Sequence, residues 1–307
     1  MPSILVTGAT GFIGRACLKA LEGINIEVHA THRCKPIIPN SHVHWHLCDI
    51  LNLEEVTTLI KTLKPDYLIH LAWIVDHTIY WTSDKNIEHQ FATIHLYKEF
   101  SSQGGKKGLF IGTCAEYDRS YSVCDEQKTP LRPTTLYGIC KKQTLDFLTQ
   151  LKIEQPNLAD FSWVRLFNIY GPHEQDGRLI PYIFLSYLKG NIPKLQNPYS
   201  IRDYIHVQNL ADILVDLSMR PSPVIINIGS GVQLSLMELA SIISFRYFNN
   251  LPALYQVGKK PEQLDKLVPD LSLLKKIGYQ PSLSFESSLD NVFEWFKIRV
   301  KPAAPTN

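Results

Sequence analysis

Tyr137 and Lys141 stand four residues apart in the segment Tyr-Gly-Ile-Cys-Lys. On a helix that spacing puts a phenol and an ammonium on one face. An unperturbed tyrosine titrates near ~10 and is a poor proton shuttle at neutral pH. A lysine one turn away stabilises the phenolate and is expected to bring the phenol toward the working range. Thr113 closes the apolar run KGLFIGT, a predicted strand, where its hydroxyl can hydrogen-bond a carbonyl or alcohol oxygen. Alone, a Tyr-x-x-x-Lys pair is equally the surface of any helix. Its weight comes from a second cluster near the start of the chain.

Residues 5–14 read LVTGATGFIG, an apolar strand running into Gly8, Gly11 and Gly14. In a strand-turn-helix unit, Gly8 permits a tight turn and Gly11 removes a side chain where backbone must approach a phosphate. Gly14 lets helix pack on strand. The helix N-terminus beyond them offers free N–H groups and a favourable dipole to an anion. The pattern predicts a dinucleotide site built by Gly8, Thr10, Gly11, Phe12, Ile13 and Gly14.

The elements that must hold these groups alternate. ILVT, IEVHAT, VHWHL, YLIHLA and GLFIGT read as short strands. Helices are expected over 12–22, 52–63 with Asn52 as cap, 86–102 and 136–154. Such alternation implies an α/β fold, a Rossmann-type doubly wound parallel sheet covered on both faces. After FSWVRLF (161–167) the pattern loosens into a smaller C-terminal substrate-binding lobe. The expected division is a dinucleotide-binding domain over 1–167, with 203–220 returning to it, and a lobe made of 168–202 and 221–298. The tail 299–307 is expected to be disordered.

Composition excludes several other classes. The chain has 307 residues, 45% hydrophobic and 20% charged, with a net charge of +2. That balance gives no electrostatic case for nucleic acid, and no apolar run reaches the ~18–20 residues that span a bilayer. The first strand begins at Ile4, leaving no room for a signal peptide. The six cysteines (17, 34, 48, 114, 124 and 140) form no Cys-x-x-Cys pair, so neither zinc nor disulfides are indicated. A cytoplasmic location is expected. His42, His44 and His46 alternate along one strand face, but no carboxylate or cysteine completes a metal set. His206 is expected to be packed in the core, and Cys140 to be a filler beside no base.

The landmarks TGATGFIG, CDI around Asp49, LIHLAW at 68–73, GTCAEYD at 112–118, YGICK, VRLFNIYGP at 164–172, IRDYIHV at 201–207 and IGYQPSLSFESSL resemble the extended short-chain dehydrogenase/reductases that act on nucleotide sugars. The likeness runs to about residue 298. It implies a nicotinamide cofactor in the first half and a nucleoside-diphosphate sugar in the lobe. Thr113, Tyr137 and Lys141 would be the proton- and hydride-handling triad, with Lys141 also on the nicotinamide ribose. Asp49, with Ile50 beside it, would contact adenine, and Leu71 and Ala72 would lie beneath the cofactor. Asn168 and Arg202 would meet the diphosphate or sugar. A second family arginine is replaced by Lys260. The aromatic loop 73–84, with Asp76 and His77, is a candidate wall of the sugar pocket. Helices 86–102 and 136–154, with Leu145, Phe147, Leu148 and Leu151 on the second, imply a homodimer through a four-helix bundle.

The second strand ends Thr31-His32-Arg33, with no carboxylate to accept the ribose hydroxyls of NAD. Arg33 suits a 2′-phosphate, which favours NADP(H) over NAD(H). Family dehydratases follow the catalytic threonine with Asp-Glu, whereas this chain has Cys114-Ala115, and Glu116 is displaced by one position. The expected reaction is NADPH-dependent reduction of the keto group, at C4, of a nucleoside-diphosphate 4-keto-6-deoxysugar. An NAD-dependent 4-epimerase and a non-catalytic dinucleotide-binding regulator are the alternatives.

Overall fold

The computed structural model describes residues 1–33, 42–76, 78–249 and 264–300. Among these the strands in chain order are β1 (Ser3–Thr7), β2 (Glu27–His32), β3 (Val43–Leu47), β4 (Tyr67–His70), β5 (Lys107–Thr113), β6 (Val123–Cys124), β7 (Asp160–Leu166), β8 (Asn168–Tyr170), β9 (Ile201–His206), β10 (Ile225–Ile228), β11 (Gln233–Ser235) and β12 (Lys266–Pro269). The helices are α1 (Phe12–Ala20), α2 (Leu53–Leu63), α3 (Lys85–Ser102), α4 (Leu136–Glu154), α5 (Leu179–Leu188), α6 (Val207–Met219), α7 (Leu236–Tyr247), α8 (Ser272–Lys276) and α9 (Phe285–Val300).

Seven strands pair in parallel in the order β10-β7-β5-β4-β1-β2-β3. Every residue of β1 is buried, because helices cover both faces. Its alternation divides the two cores: Ile4 and Val6 pack with α1 and α6, while Leu5 packs with α2, α3 and α4. The α/β doubly wound fold is as the strand-helix alternation implies. Winding reverses between β1 and β4, and a crevice forms at the carboxyl ends of strands at such a switch point. Asn52 caps α2 as expected, accepting from the N–H groups of Glu54 and Glu55.

The division of the chain differs from expectation in two places. Ile225–Ile228, placed in the lobe from sequence, is the edge strand of the large sheet, paired with β7, and Leu274 of α8 joins the same core. Val123–Cys124, placed in the dinucleotide domain, instead pairs with β12. The reason is that short strands carry no period of their own, and their place is set by the partners they meet. The second sheet runs β11-β9-β12-β6 with β8 on β9, and α5, α7 and α9 bury a separate apolar cluster around Phe184, Ile243 and Phe296. Of the residues expected at a helical interface, Leu145 and Leu148 face inward with Leu151 packed against that core, while Phe147 is exposed along with Phe91 and Ile153. Among the described residues no helix is long and apolar enough to cross a membrane.

Candidate active site

Thr113 ends β5 and caps the 3₁₀ turn Cys114–Glu116. Its hydroxyl accepts from the Ala115 N–H at 3.2 Å, and its own N–H donates to Glu116 Oε1 at 2.8 Å. Helix α4 starts beside that turn, capped by Thr135 on the Gly138 N–H. A Cβ at Gly138 would lie 2.6 Å from the Ala115 carbonyl oxygen, so glycine there is what lets the helix approach. Tyr137 is thereby set in the first turn of α4 and Lys141 one turn on, both at the end of β5. The structure brings Thr113, Tyr137 and Lys141 together.

Burial pushes the Tyr137 phenol up, an effect pulled back by Thr113 and reinforced by Tyr80, Cys114 and Glu116. Lys141, one turn on, is buried as well. Its ammonium donates to the Ile111 carbonyl at 2.7 Å, lies 3.6 Å over the Trp73 ring and stays 6.0 Å from the Tyr137 ring. Desolvation brings Lys141 down to about 7, against the opposing pull of Glu116.

The loop after β4 supplies residues that sequence reasoning named only collectively. Tyr80 and Trp81 meet the Tyr137 ring edge-on at 5.0 and 5.7 Å. Trp73 stacks on His89 and donates from Nε1 to Asn86 Oδ1, and buried Asn86 donates to the carbonyls of Tyr80 and Ser83. Asn86 therefore ties this loop to α3. Arg178, at the start of α5, has its guanidinium 5.9 Å from the Tyr80 ring. The run of tryptophan and tyrosine in 73–81 was the signal for these residues. Asp76 holds the local turn by accepting from Thr78. His77 lies outside the described residues.

The glycine turn fits a diphosphate. Gly8 has φ +69°, and a Cβ there would lie 2.8 Å from the Ala72 nitrogen, so the turn sits against the backbone of Leu71 and Ala72. A Cβ at Gly14 would lie 2.3 Å from the Gly8 carbonyl oxygen. Gly11 precedes α1 and gives its first N–H groups no side-chain cap, while Phe12 and Ile13 pack partly against the core. Asp49 and Ile50 follow β3. The Asp49 carboxylate accepts from the Leu51 N–H, and Ile50 is buried. Arg33 is exposed just past β2, and its charge, like those of Asp49 and Lys141, acts on His89.

The lobe residues are occupied by the protein's own groups. Asn168 donates to the Asp203 carbonyl, joining β8 to β9. Arg202 donates to the Asp265 carboxylate and carbonyl, and Arg119 lies 3.7 Å from the same carboxylate. Lys260 lies outside the described residues. His44 and His46 gather with His29 and Glu27 across β2 and β3, while His42 precedes β3. Among the described residues no group of three or more His, Cys, Asp or Glu side chains could hold a metal ion. His206 is buried and caps α6 by accepting from the Gln208 N–H, and Cys140 is buried.

The chain is a member of the NAD dependent epimerase/dehydratase family, whose profile matches residues 4–229. It is 26% identical over 341 residues to the UDP-glucose 4-epimerase of Neisseria meningitidis, covering 96% of this chain and 97% of that protein. It is 24% identical over 316 residues to the dTDP-4-dehydro-6-deoxyglucose reductase of Escherichia coli, covering 97% and 98%. Its fold superposes on the UDP-glucose 4-epimerase of Thermotoga maritima with a TM-score of 0.86 at 20% identity, over 97% of this chain and 100% of that one.

Proposed function

We propose that this protein is a nucleotide-sugar oxidoreductase that reduces the C4 keto group of a nucleoside-diphosphate 4-keto-6-deoxysugar, with Tyr137 as proton donor. The observation that carries the reading is the meeting of Thr113, Tyr137 and Lys141 at the end of β5, beside the crevice onto which α1 opens. When bound, NADP(H) supplies the hydride. Gly8, Gly11, Gly14, Thr10, Phe12 and Ile13 would hold its diphosphate, Asp49 and Ile50 its adenine, Leu71 and Ala72 its underside, and Arg33 its 2′-phosphate.

The chain's own groups then do the proton chemistry. Burial keeps the Tyr137 phenol protonated at neutral pH, the form needed to give a proton to a developing alkoxide. Thr113 hydrogen-bonds the same oxygen and orients it. Lys141 is partly charged near pH 7, so its ammonium stabilises the phenolate left behind. Asn168, Arg202 and Lys260 are proposed to meet the diphosphate or sugar. Glu116 is held by Thr113, Trp163 and Arg165 and is not offered to a substrate, which speaks against water elimination. Exposed Phe91, Phe147 and Ile153 on α3 and α4 support pairing with a second copy, and scattered reduced cysteines a cytoplasmic setting.

A second reading, an NAD-dependent 4-epimerase, draws on the 4-epimerase relatives. It would use the same three groups, with Tyr137 as phenolate taking the first proton and returning it after the sugar has turned. The regulator alternative has no support in a chain that keeps both Tyr137 and Lys141. The test is Tyr137→Phe. Turnover of NADPH with nucleotide 4-keto-6-deoxysugars should fall about 10²–10⁴-fold while dinucleotide affinity stays within about twofold. Near-normal turnover in that variant would remove the assignment.

A further inference from the structure

Glu116 has no solvent exposure, and its carboxylate is ion-paired with Arg165 in the wall of the site. Its Oε1 accepts from the Thr113 N–H at 2.8 Å and from Trp163 Nε1 at 3.0 Å, and its Oε2 accepts from Arg165 Nε at 2.7 Å. Arg165 donates on to the Tyr117 hydroxyl, Tyr117 donates to Asn227 Oδ1, and the Asn227 amide donates to the Cys124 carbonyl. Cys124 belongs to β6, which pairs with β12, and β12 pairs with β9, the strand of Arg202. One buried chain of hydrogen bonds thus runs from the backbone of Thr113 to the sheet of the lobe.

A carboxylate buried so deeply would be costly if its task were only to close a turn, since an apolar side chain could fill that space. The placement of its charge offers a reason. The groups facing Lys141 are Glu116 from the 3₁₀ turn, Cys140 on its own helix, His70 from β4, His89 from α3, Trp73 from the loop and the Ile111 carbonyl from β5. Both His70 and His89 are kept neutral by burial. Glu116 is the carboxylate in that ring of neighbours.

We propose that Glu116 is a positioning residue of the site: its carboxylate, anchored on Trp163 and Arg165, holds the Thr113 backbone in place and sets a negative charge behind Trp163, whose ring lies 6.0 Å from the Lys141 ammonium. The proposal rests on the functional reading above for its kinetic consequences, but the charge on Lys141 can be followed without any substrate. Glu116→Gln preserves the shape and removes the charge. Its kcat should fall about ten- to a hundredfold with KM for sugar nucleotide and dinucleotide within about twofold. Removing a negative neighbour disfavours the ammonium, so the Lys141 titration, followed by NMR of ¹³Cε-labelled lysine and assigned with Lys141→Met, should move to lower pH than in the wild type.

If Glu116→Gln does not fold because Arg165 is left without a charged partner, the double replacement Glu116→Met with Arg165→Met removes both charges together. It should fold and still lose kcat, because the Thr113 N–H has no acceptor. Unchanged kcat in the double variant, or an unmoved Lys141 titration in the folded Gln variant, would overturn the proposal. Absence of turnover by the wild-type protein with every nucleotide sugar would defeat the functional reading alone, and the NMR titration would still decide the role of Glu116.

Discussion

The large sheet and the lobe hold their candidate ligand groups in opposite ways. At the crevice, Gly11 leaves the N–H groups of α1 without a side-chain cap, and the positions of Gly8 and Gly14 are dictated by backbone contacts below 3 Å for any added Cβ. In the lobe, Arg202 and Arg119 already share the Asp265 carboxylate, and Asn168 is spent on the Asp203 carbonyl. The first region has no side-chain cap of its own. The second is satisfied internally, so a diphosphate there must compete with a carboxylate.

That contrast can be broken from either side, and the crevice should be the more sensitive. Gly14→Ala forces a methyl group against the Gly8 carbonyl and Ala9, so it should cost about 2–3 kcal/mol of stability. Chemical denaturation would read that loss, and dinucleotide affinity should fall with it. A variant as stable as the wild type would mean that the turn can relax and is not fixed by packing. In the lobe, Asp265→Ala should do the reverse. Freeing two guanidiniums from an exposed carboxylate should tighten nucleoside-diphosphate binding severalfold, on the order of 1 kcal/mol or less. Calorimetry checks the sign: weaker binding would show that Asp265 shapes the site and does not compete for it.

The same contrast explains how much could be read from the residues in advance. Gly8, Gly11 and Gly14 follow an apolar strand, and Thr113, Tyr137 and Lys141 sit at strand and helix ends, where spacing alone places them. Their juxtaposition was legible for that reason. The electrostatics were not. Spacing put Lys141 beside Tyr137, but the Ile111 carbonyl and Trp73 hold the ammonium, and burial dominates the phenol. Glu116 reads as displaced by one position from the dehydratase carboxylate, and its partners, Trp163 and Arg165, lie 47 and 49 residues further on, where no local pattern points to them. Likewise β10 and β6 are too short to show which sheet they join, and only long-range pairing with β7 and β12 decides it. Local periodicity carries the frame, and contacts distant in sequence carry the tuning.

The most direct measurement uses NADPH bearing deuterium at the transferred position of nicotinamide C4, mixed with the protein and a nucleoside-diphosphate 4-keto-6-deoxysugar. The account predicts one deuterium on C4 of the product sugar and one NADPH consumed per turnover. Interconversion of sugars with no deuterium incorporated and no net change in cofactor would contradict it.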